Sequence, residues 1–355
     1  MYIDENSCEE EKIRTIIVKR LLFISFLLIA VISIFCYSVT VGTAEISVSD
    51  VYKTLVDSLL PGTFDISDRM RMIIIDIRLP RILMALIGGA VLAIGGCLTQ
   101  SILRNPLATP YTLGVSSGAG FGAAIAILTG MSLASNIAGV IANSFFFALI
   151  PIAIILTAGR MRNLAPATMV LCGVAISYIF SAANTLLQFF GDPNAVKAVV
   201  FWMVGDLNNI FIWHIPFVLV TLILCLAASA YLSKNINAMR LGDDTARSLG
   251  VNTEAVRTVT LLVACLSTAM VVCFTGSIGF ICLLAPHISR IFVGGDMRYL
   301  IPASALCGSA ILLLADLGAK VLAEPIMLPV GAITAMVGGP LLLFLLLRRK
   351  SDNAV

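Results

Sequence analysis

The sequence predicts an all-α, polytopic membrane protein, and three observations carry that expectation. Of 355 residues, 59% are hydrophobic and 12% charged, with mean hydropathy +1.02, whereas a soluble globular domain carries about 25% charged residues. The apolar length is divided into ten runs, each near the ~20 residues that a helix needs to cross a bilayer. The cations sit in the polar segments that flank these runs and not along a groove, which fits a membrane protein and excludes nucleic acid as a partner.

The ten runs are roughly 18–40, 82–102, 115–133, 137–158, 168–190, 211–231, 255–274, 278–293, 301–321 and 330–347. Residues 1–17 form a charged amino-terminal segment. The run after it lacks a small-residue cleavage site and reads as a retained first span. With that segment inside, most of the 23 lysines and arginines fall in inner loops, including Arg348, Arg349 and Lys350 beyond the last span. This is the positive-inside pattern, and it puts both termini in the cytoplasm.

The outer segment after the first span predicts a helix capped by Ser49 or Asp50 and running through Leu59. Val51, Leu55 and Leu59 share one face, as in an amphipathic helix lying on the membrane. Arg69, Arg71, Arg78 and Arg81 follow. Interfacial anchors would concentrate on the inside, so these four read as a basic collar for an acidic partner outside. The second span carries Gly88, Gly89, Gly95 and Gly96. The third is crowded with Gly114, Ser116, Ser117, Gly118, Gly120 and Gly122. Gly118 and Gly122 form a small-xxx-small pair that predicts close helix packing. No strand precedes this stretch and no acid follows it, which excludes a dinucleotide fingerprint.

A second outer helix follows the fifth span. Asp192 is placed to cap it, Pro193 suits its first position and Gly205 its end. Val196, Val199, Val200 and Met203 make an apolar stripe, and the segment is too short to cross. On the inner side, the polar stretch 237–250 predicts a helix of one or two turns at the membrane surface. Asp243 can cap it, Asp244 favours its first turn and Gly250 stops it. Leu241 and Leu249 give it a small apolar face. Gly242 and Ala246, four apart and both small, allow close approach of a partner. Asp316 is the one acid placed inside a span, and Lys320 four residues on predicts an ion pair near the outer end.

Nine cysteines occur without a Cys-x-x-Cys, mostly within apolar runs, which reads as packing. His214 and His287 have no companion at ligand spacing, so neither a metal site nor a cofactor is expected. No phosphate-cradling loop is present, and ATP hydrolysis would have to come from another chain. Residues 1–355 therefore read as a single transmembrane domain, not an enzyme, with a cytoplasmic docking helix.

These residues resemble the permease subunits of the FecCD family, the ABC importers of iron–siderophore, haem and cobalamin, over about residues 20–350. The resemblance is carried by Arg78-Leu79-Pro80-Arg81, by Arg104-Asn105-Pro106-Leu107-Ala108 and by Leu113 through Gly120. It continues in Leu241-Gly242-Asp243 with Ala246, Leu249 and Gly250, then in Gly276-Ser277-Ile278-Gly279-Phe280, Pro286-His287 and Leu328-Pro329-Val330-Gly331 with Thr334. It implies ten spans and a second permease copy or close homologue around a central pathway. It also implies an ABC ATPase subunit below and a periplasmic or lipid-anchored substrate-binding protein, in the cytoplasmic membrane of a prokaryote. Leu241, Gly242, Asp243, Ala246, Leu249 and Gly250 fall on the family's ATPase-coupling helices. Arg78, Arg81 and Lys320 fall on basic positions that meet acids on the binding protein, with Lys320 standing where arginine is usual and lacking its bidentate fork. The inner gate would fall at Ala165, Pro166 and Ala167. The cobalamin type has small hydroxyl residues there, and their absence argues against that cargo.

The cargo implied is a metal chelate, iron–siderophore first, with haem, cobalamin and oxyanions left open. The reading from another class is an ion-coupled secondary transporter acting alone. Such transporters bind substrate and ion with polar groups at the midplane, and here Asn184 and Gln188 are the main ones.

Overall fold

The computed structural model describes residues 2–42, 46–134, 136–162, 165–322 and 327–352, and among these all the regular structure is helical, with no strand. The first half comprises α1 (Tyr2–Thr40), α2 (Val48–Leu59), α3 (Asp68–Arg71), α4 (Leu79–Ile102), α5 (Val115–Thr129), α6 (Asn136–Arg162) and α7 (Pro166–Phe189). The second comprises α8 (Pro193–Val204), α9 (Ile215–Arg240), α10 (Asp243–Ser248), α11 (Thr253–Thr275), α12 (Ile281–Val293), α13 (Met297–Val321) and α14 (Val330–Asp352). The predicted segment 1–17 is helical from Tyr2 and continuous with the first span.

Each of the ten apolar runs is a helix. Among the described residues, seven helical segments are long and apolar enough to cross a bilayer: Glu11–Thr40, Asp68–Ile102, Asn136–Gly159, Pro166–Phe189, Ile212–Arg240, Thr253–Thr275 and Met297–Val321. The other three runs give shorter apolar helices, Val115–Thr129, Ile281–Val293 and Val330–Phe344. Irregular backbone starts all three. Gly114 is left-handed before α5 and Phe280 before α12, and Leu328-Pro329 precedes α14, where proline disfavours a helical residue ahead of it.

The bundle is organised around α4, which is buried along almost its whole length and packs against α13, α11, α9 and α12. Its glycines make this possible. A methyl on Gly88 would press on Val271, and one on Gly96 would collide with the backbone of Cys282. The predicted pair Gly118 and Gly122 seats α5 on α6 in the same way, since a methyl on Gly118 would lie 2.6 Å from the Phe147 carbonyl oxygen. In lipid, where no hydrophobic force draws helices together, such backbone contact is what the association rests on. Cys97, Cys225, Cys265, Cys273, Cys282 and Cys307 are buried thiols in the packing.

α2 and α8, the two helices expected on the outer side, depart from expectation in detail. α2 is capped by Ser47, not by Ser49 or Asp50; Ser47 Oγ accepts from the Asp50 N–H at 3.2 Å and donates to the Asp50 carboxylate at 2.7 Å. Val51 is fully buried, so α2 packs into the protein as well as lying along it. α8 starts as predicted, with Asp192 accepting from the N–H groups of Asn194 and Ala195. Of its predicted stripe, only Val199 is buried, while Val200 and Met203 are exposed.

The start of α5, the end of α8, and the starts of α12 and α14 meet at one place inside the bundle. Gly331 N–H donates to Gly205 O at 3.0 Å and Asp206 N–H to Thr275 O at 2.8 Å. Ser116 Oγ donates to Ser277 Oγ at 2.7 Å, and Tyr111 Oη to Ile278 O at 2.9 Å. The broken backbone thus finds partners in other broken backbone, the condition under which irregular segments are tolerated at membrane depth.

Candidate functional site

The turn between α9 and α11 is built from a glycine outward. Gly242 has φ 131°, a conformation closed to other residues, and it lets the chain leave α9 and re-enter a helix at Asp243. Asp243 is the first residue of α10 and not its cap, because Gly242 holds the cap position without a side-chain bond. The Asp243 carboxylate instead pairs with Arg104, from the segment after α4, and with Arg257 of α11 at 2.6 Å. Burial pushes that carboxyl up, but Arg257, Arg104 and Arg247 together hold it below its ordinary value. The pairing is therefore complete above the usual carboxylate range and is lost only as pH falls beneath it.

The last turn of α9 is braced from its other side. The Asn237 amide donates to Asp296 at 2.9 Å and accepts from Met297 N–H at 3.0 Å. Arg240 donates to the Gly295 carbonyl. Arg298 grips Asp296 at 2.7 Å and, by that hydrogen bond, lowers its carboxyl to about 2. The turn is thus tied to the α4–α5 segment, α11 and the α12–α13 corner.

Its outward face differs from the one the sequence suggested. Ala246 is fully buried in the core beneath α10, whereas Leu241 is 71% and Leu249 64% exposed. Ala246 is small because the chain's own helices enclose it, while Gly242 is half-exposed and is glycine for its backbone conformation. An arginine at position 246 would therefore enter the fold and not a partner, which corrects the expectation drawn from spacing alone. Gly250, with φ 81°, ends the turn as expected.

The residues expected at the inner gate meet this turn. Ala165 stands at the cap position of α7 and Pro166 at its first. Both line a cleft of about 450 Å³ whose opposite wall is Asp243, Arg247, Glu254 and Arg257. Ala167 is exposed beside them.

The predicted basic collar is not a solvent-facing collar. Arg78, Arg81 and Lys320 are 5%, 3% and 4% exposed. Arg81 Nε lies 2.5 Å from Asp316 Oδ1, and Lys320 Nζ lies 2.8 Å from Asp316 Oδ2. Arg81 also donates to the Asn208 side chain, and Arg78 donates to the Val39 and Thr40 carbonyls at 3.4 Å. The reason is dielectric: a cation held among apolar helices needs an internal partner. The predicted Asp316–Lys320 pair forms, but with Arg81 on the same carboxylate. That third member was missed, although an arginine and an aspartate on separate spans are themselves a signal for it. Arg69 and Arg71 stay exposed. Also missed were Arg104 and Arg257 as partners of Asp243, and the Asn237–Asp296 brace, whose members lie far apart in sequence.

A family model, the FecCD transport family, matches residues 27–348. The chain is 41% identical over 339 residues to a protein of Methanocaldococcus jannaschii assigned as an ABC transporter permease, covering 93% of this chain and 95% of that one. It is 33% identical to the hemin transport system permease protein of Yersinia pestis, covering 94% and 97%. It superposes with TM-score 0.80 and 29% identity on a solved, inward-facing transporter assigned to the metal-chelate ABC type, covering 92% of this chain and 98% of that one. The match spans both the broken-helix junction and the braced turn, and the chain belongs to the FecCD transport family.

Proposed function

We propose that the chain is the membrane permease subunit of a binding-protein-dependent ABC importer that moves a metal chelate, iron–siderophore first, into the cytoplasm. The observation that carries this is the exposed pair Leu241 and Leu249 flanking the short helix α10, in a turn braced at Asp243 and Asp296. Two leucines held in water on a rigid mount form a surface for a partner. That partner is the ATPase, and a push on α10 passes through Asp243 to α4 and α11 and across the shared cleft to the gate at Ala165, Pro166 and Ala167. Ten crossings, with both termini cytoplasmic, put the turn on the side where ATP is. A second permease copy covers the apolar faces of α7 and α14, where Tyr178, Phe189, Phe190 and Met336 are 74–83% exposed. The chain itself does no chemistry.

The test is reconstitution in proteoliposomes. Permease alone should hydrolyse no ATP. With its ATPase and binding protein it should take up ferric siderophore only when ATP is enclosed. Uptake by permease alone, driven by an ion gradient, would replace this reading with a secondary transporter.

Outer docking falls to cations that the fold leaves exposed. Replacing Arg69 and Arg71 together by glutamate should slow association with an acidic binding protein and flatten its salt dependence, because rim charges act mainly on encounter rate. Association kinetics at low and high salt measure this, and unchanged rates at low salt would remove these two residues from the docking surface.

A further inference from the structure

Two arginines from distant parts of the sequence meet at the corner between α12 and α13. Arg240, exposed at the end of α9, donates to the Gly295 carbonyl. Arg20, half-buried on α1, reaches the residue beside it, where a methyl on Gly294 would lie 3.3 Å from Arg20 Nη2. The glycines leave room for the guanidiniums, since a methyl on Gly295 would overlap that of Arg240. The Arg20 guanidinium is also held 5.0 Å from the centre of the Tyr299 ring, a cation–π contact that positions it without neutralising it. Among the described residues neither arginine has a carboxylate partner. The acid at this corner, Asp296, is already matched. Arg298 pairs with it at 2.7 Å and Asn237 donates to it at 2.9 Å. The charges of Arg20 and Arg240 are therefore left uncompensated by the chain.

Apolar surface begins beside these cations. Phe23, one turn beyond Arg20, stacks on Phe292 of α12 with ring centres 4.4 Å apart. Leu22 and Phe26 of α1 and Ile291 and Phe292 of α12 are 58–65% exposed. Arg20 stands at the polar end of the first apolar run, and the corner separates two others, so the cations lie where hydrocarbon gives way to headgroups. α1 packs mainly on α13, whereas the second permease copy is assigned to α7 and α14. An exposed apolar wall that ends in two uncompensated cations matches the two halves of an anionic phospholipid. A free anion would leave the wall uncovered, and an apolar protein face would leave the cations unpaired.

We propose that an anionic phospholipid binds at this corner, with its phosphate at Arg20 and Arg240 and its chains along Leu22, Phe26, Ile291 and Phe292. Arg240 is followed directly by Leu241, so the headgroup sits at the root of the turn assigned to the ATPase. That the leaflet is the inner one rests on the orientation proposed above; the site itself rests on the fold.

The test counts lipids on the full chain by native mass spectrometry. The chain is stripped of lipid in a neutral detergent, and phosphatidylglycerol or phosphatidylcholine with the same acyl chains is added. The expected result is one saturable site that favours phosphatidylglycerol by about thirtyfold, roughly fivefold for each cation near a membrane surface. Arg240→Gln, at an exposed position, should lower that preference by about fivefold. Arg20→Gln should do the same, Arg20→Lys should keep most of it, and the double glutamine variant should abolish it. Lys12 and Arg14, exposed on the same helix, serve as the control; replacing both by glutamine should leave the preference unchanged. Excess inorganic phosphate should not displace the lipid. Equal binding of the two lipids overturns the proposal. So does an equal loss of preference in the control variant, and so does displacement by inorganic phosphate. A preference untouched by Arg240→Gln, with loss of ATPase co-purification, also overturns it and gives the cation to the protein partner. The lipid count uses the permease alone, so its outcome is separate from whether Leu241 and Leu249 bind the ATPase.

Discussion

Replacing Leu241 and Leu249 together by glutamate should abolish ATP-driven uptake while leaving the permease folded in the membrane. Both side chains are exposed, so neither contributes to the core. Burying one leucine against a partner is worth about 1.5–3 kcal/mol. Losing two costs about 3–6 kcal/mol, a drop in affinity of roughly two to four orders of magnitude. Co-purification of the ATPase with the variant measures this, alongside the variant's elution from size exclusion. Normal ATPase recovery would move the coupling surface elsewhere. The contrasting variant is Ala246→Arg. Its side chain would be forced into a fully buried site, and it should be lost from the membrane fraction. If it folds and loses only the ATPase, the buried placement of Ala246 is wrong.

Asp316→Ala should be the most destabilising single change in the cluster of Arg81, Asp316 and Lys320. It removes the carboxylate shared by Arg81 and Lys320 and leaves two buried cations without a counter-charge. Breaking a buried pair in this way costs about 3–5 kcal/mol. The triple variant Asp316→Leu, Arg81→Met, Lys320→Met should recover much of that loss, because replacing all members of a buried ionic group by apolar residues is often neutral or stabilising. Thermal stability of the detergent-solubilised chain, read by loss of the monodisperse peak, ranks the three proteins. A stability of Asp316→Ala equal to that of the parent would mean that the cations are hydrated, and would return Arg81 and Lys320 to the docking surface.

Much of this molecule is legible before any coordinates. Hydrocarbon length and polar punctuation give the ten helices, because a chain in lipid has few other ways to satisfy its backbone. Asp192, Pro193 and Gly205 give α8 its ends, because caps are local chemistry. Gly118 and Gly122 announce a tight contact, and the polar interruption between two apolar runs announces the turn between α9 and α11. In each case the physical cause acts within a few residues of its signal.

What only the tertiary structure decided is which way those elements face and what holds them. Helical spacing puts Gly242 and Ala246 together, but whether that face meets a partner or the chain's own core depends on where α9 and α11 lie. The same holds for Arg78, Arg81 and Lys320, which read as a collar in one dimension and are buried in three, Arg81 and Lys320 on Asp316. Asp243 looked like a cap and is instead the anchor of two arginines from opposite sides of the sequence. Charge pairing acts through space, between residues 14 to 235 positions apart. The sequence alone determined that charges had to be accommodated at these places; the packing of α4, α11 and α13 chose their partners, because in a low dielectric an ion binds whichever opposite charge the fold brings within reach.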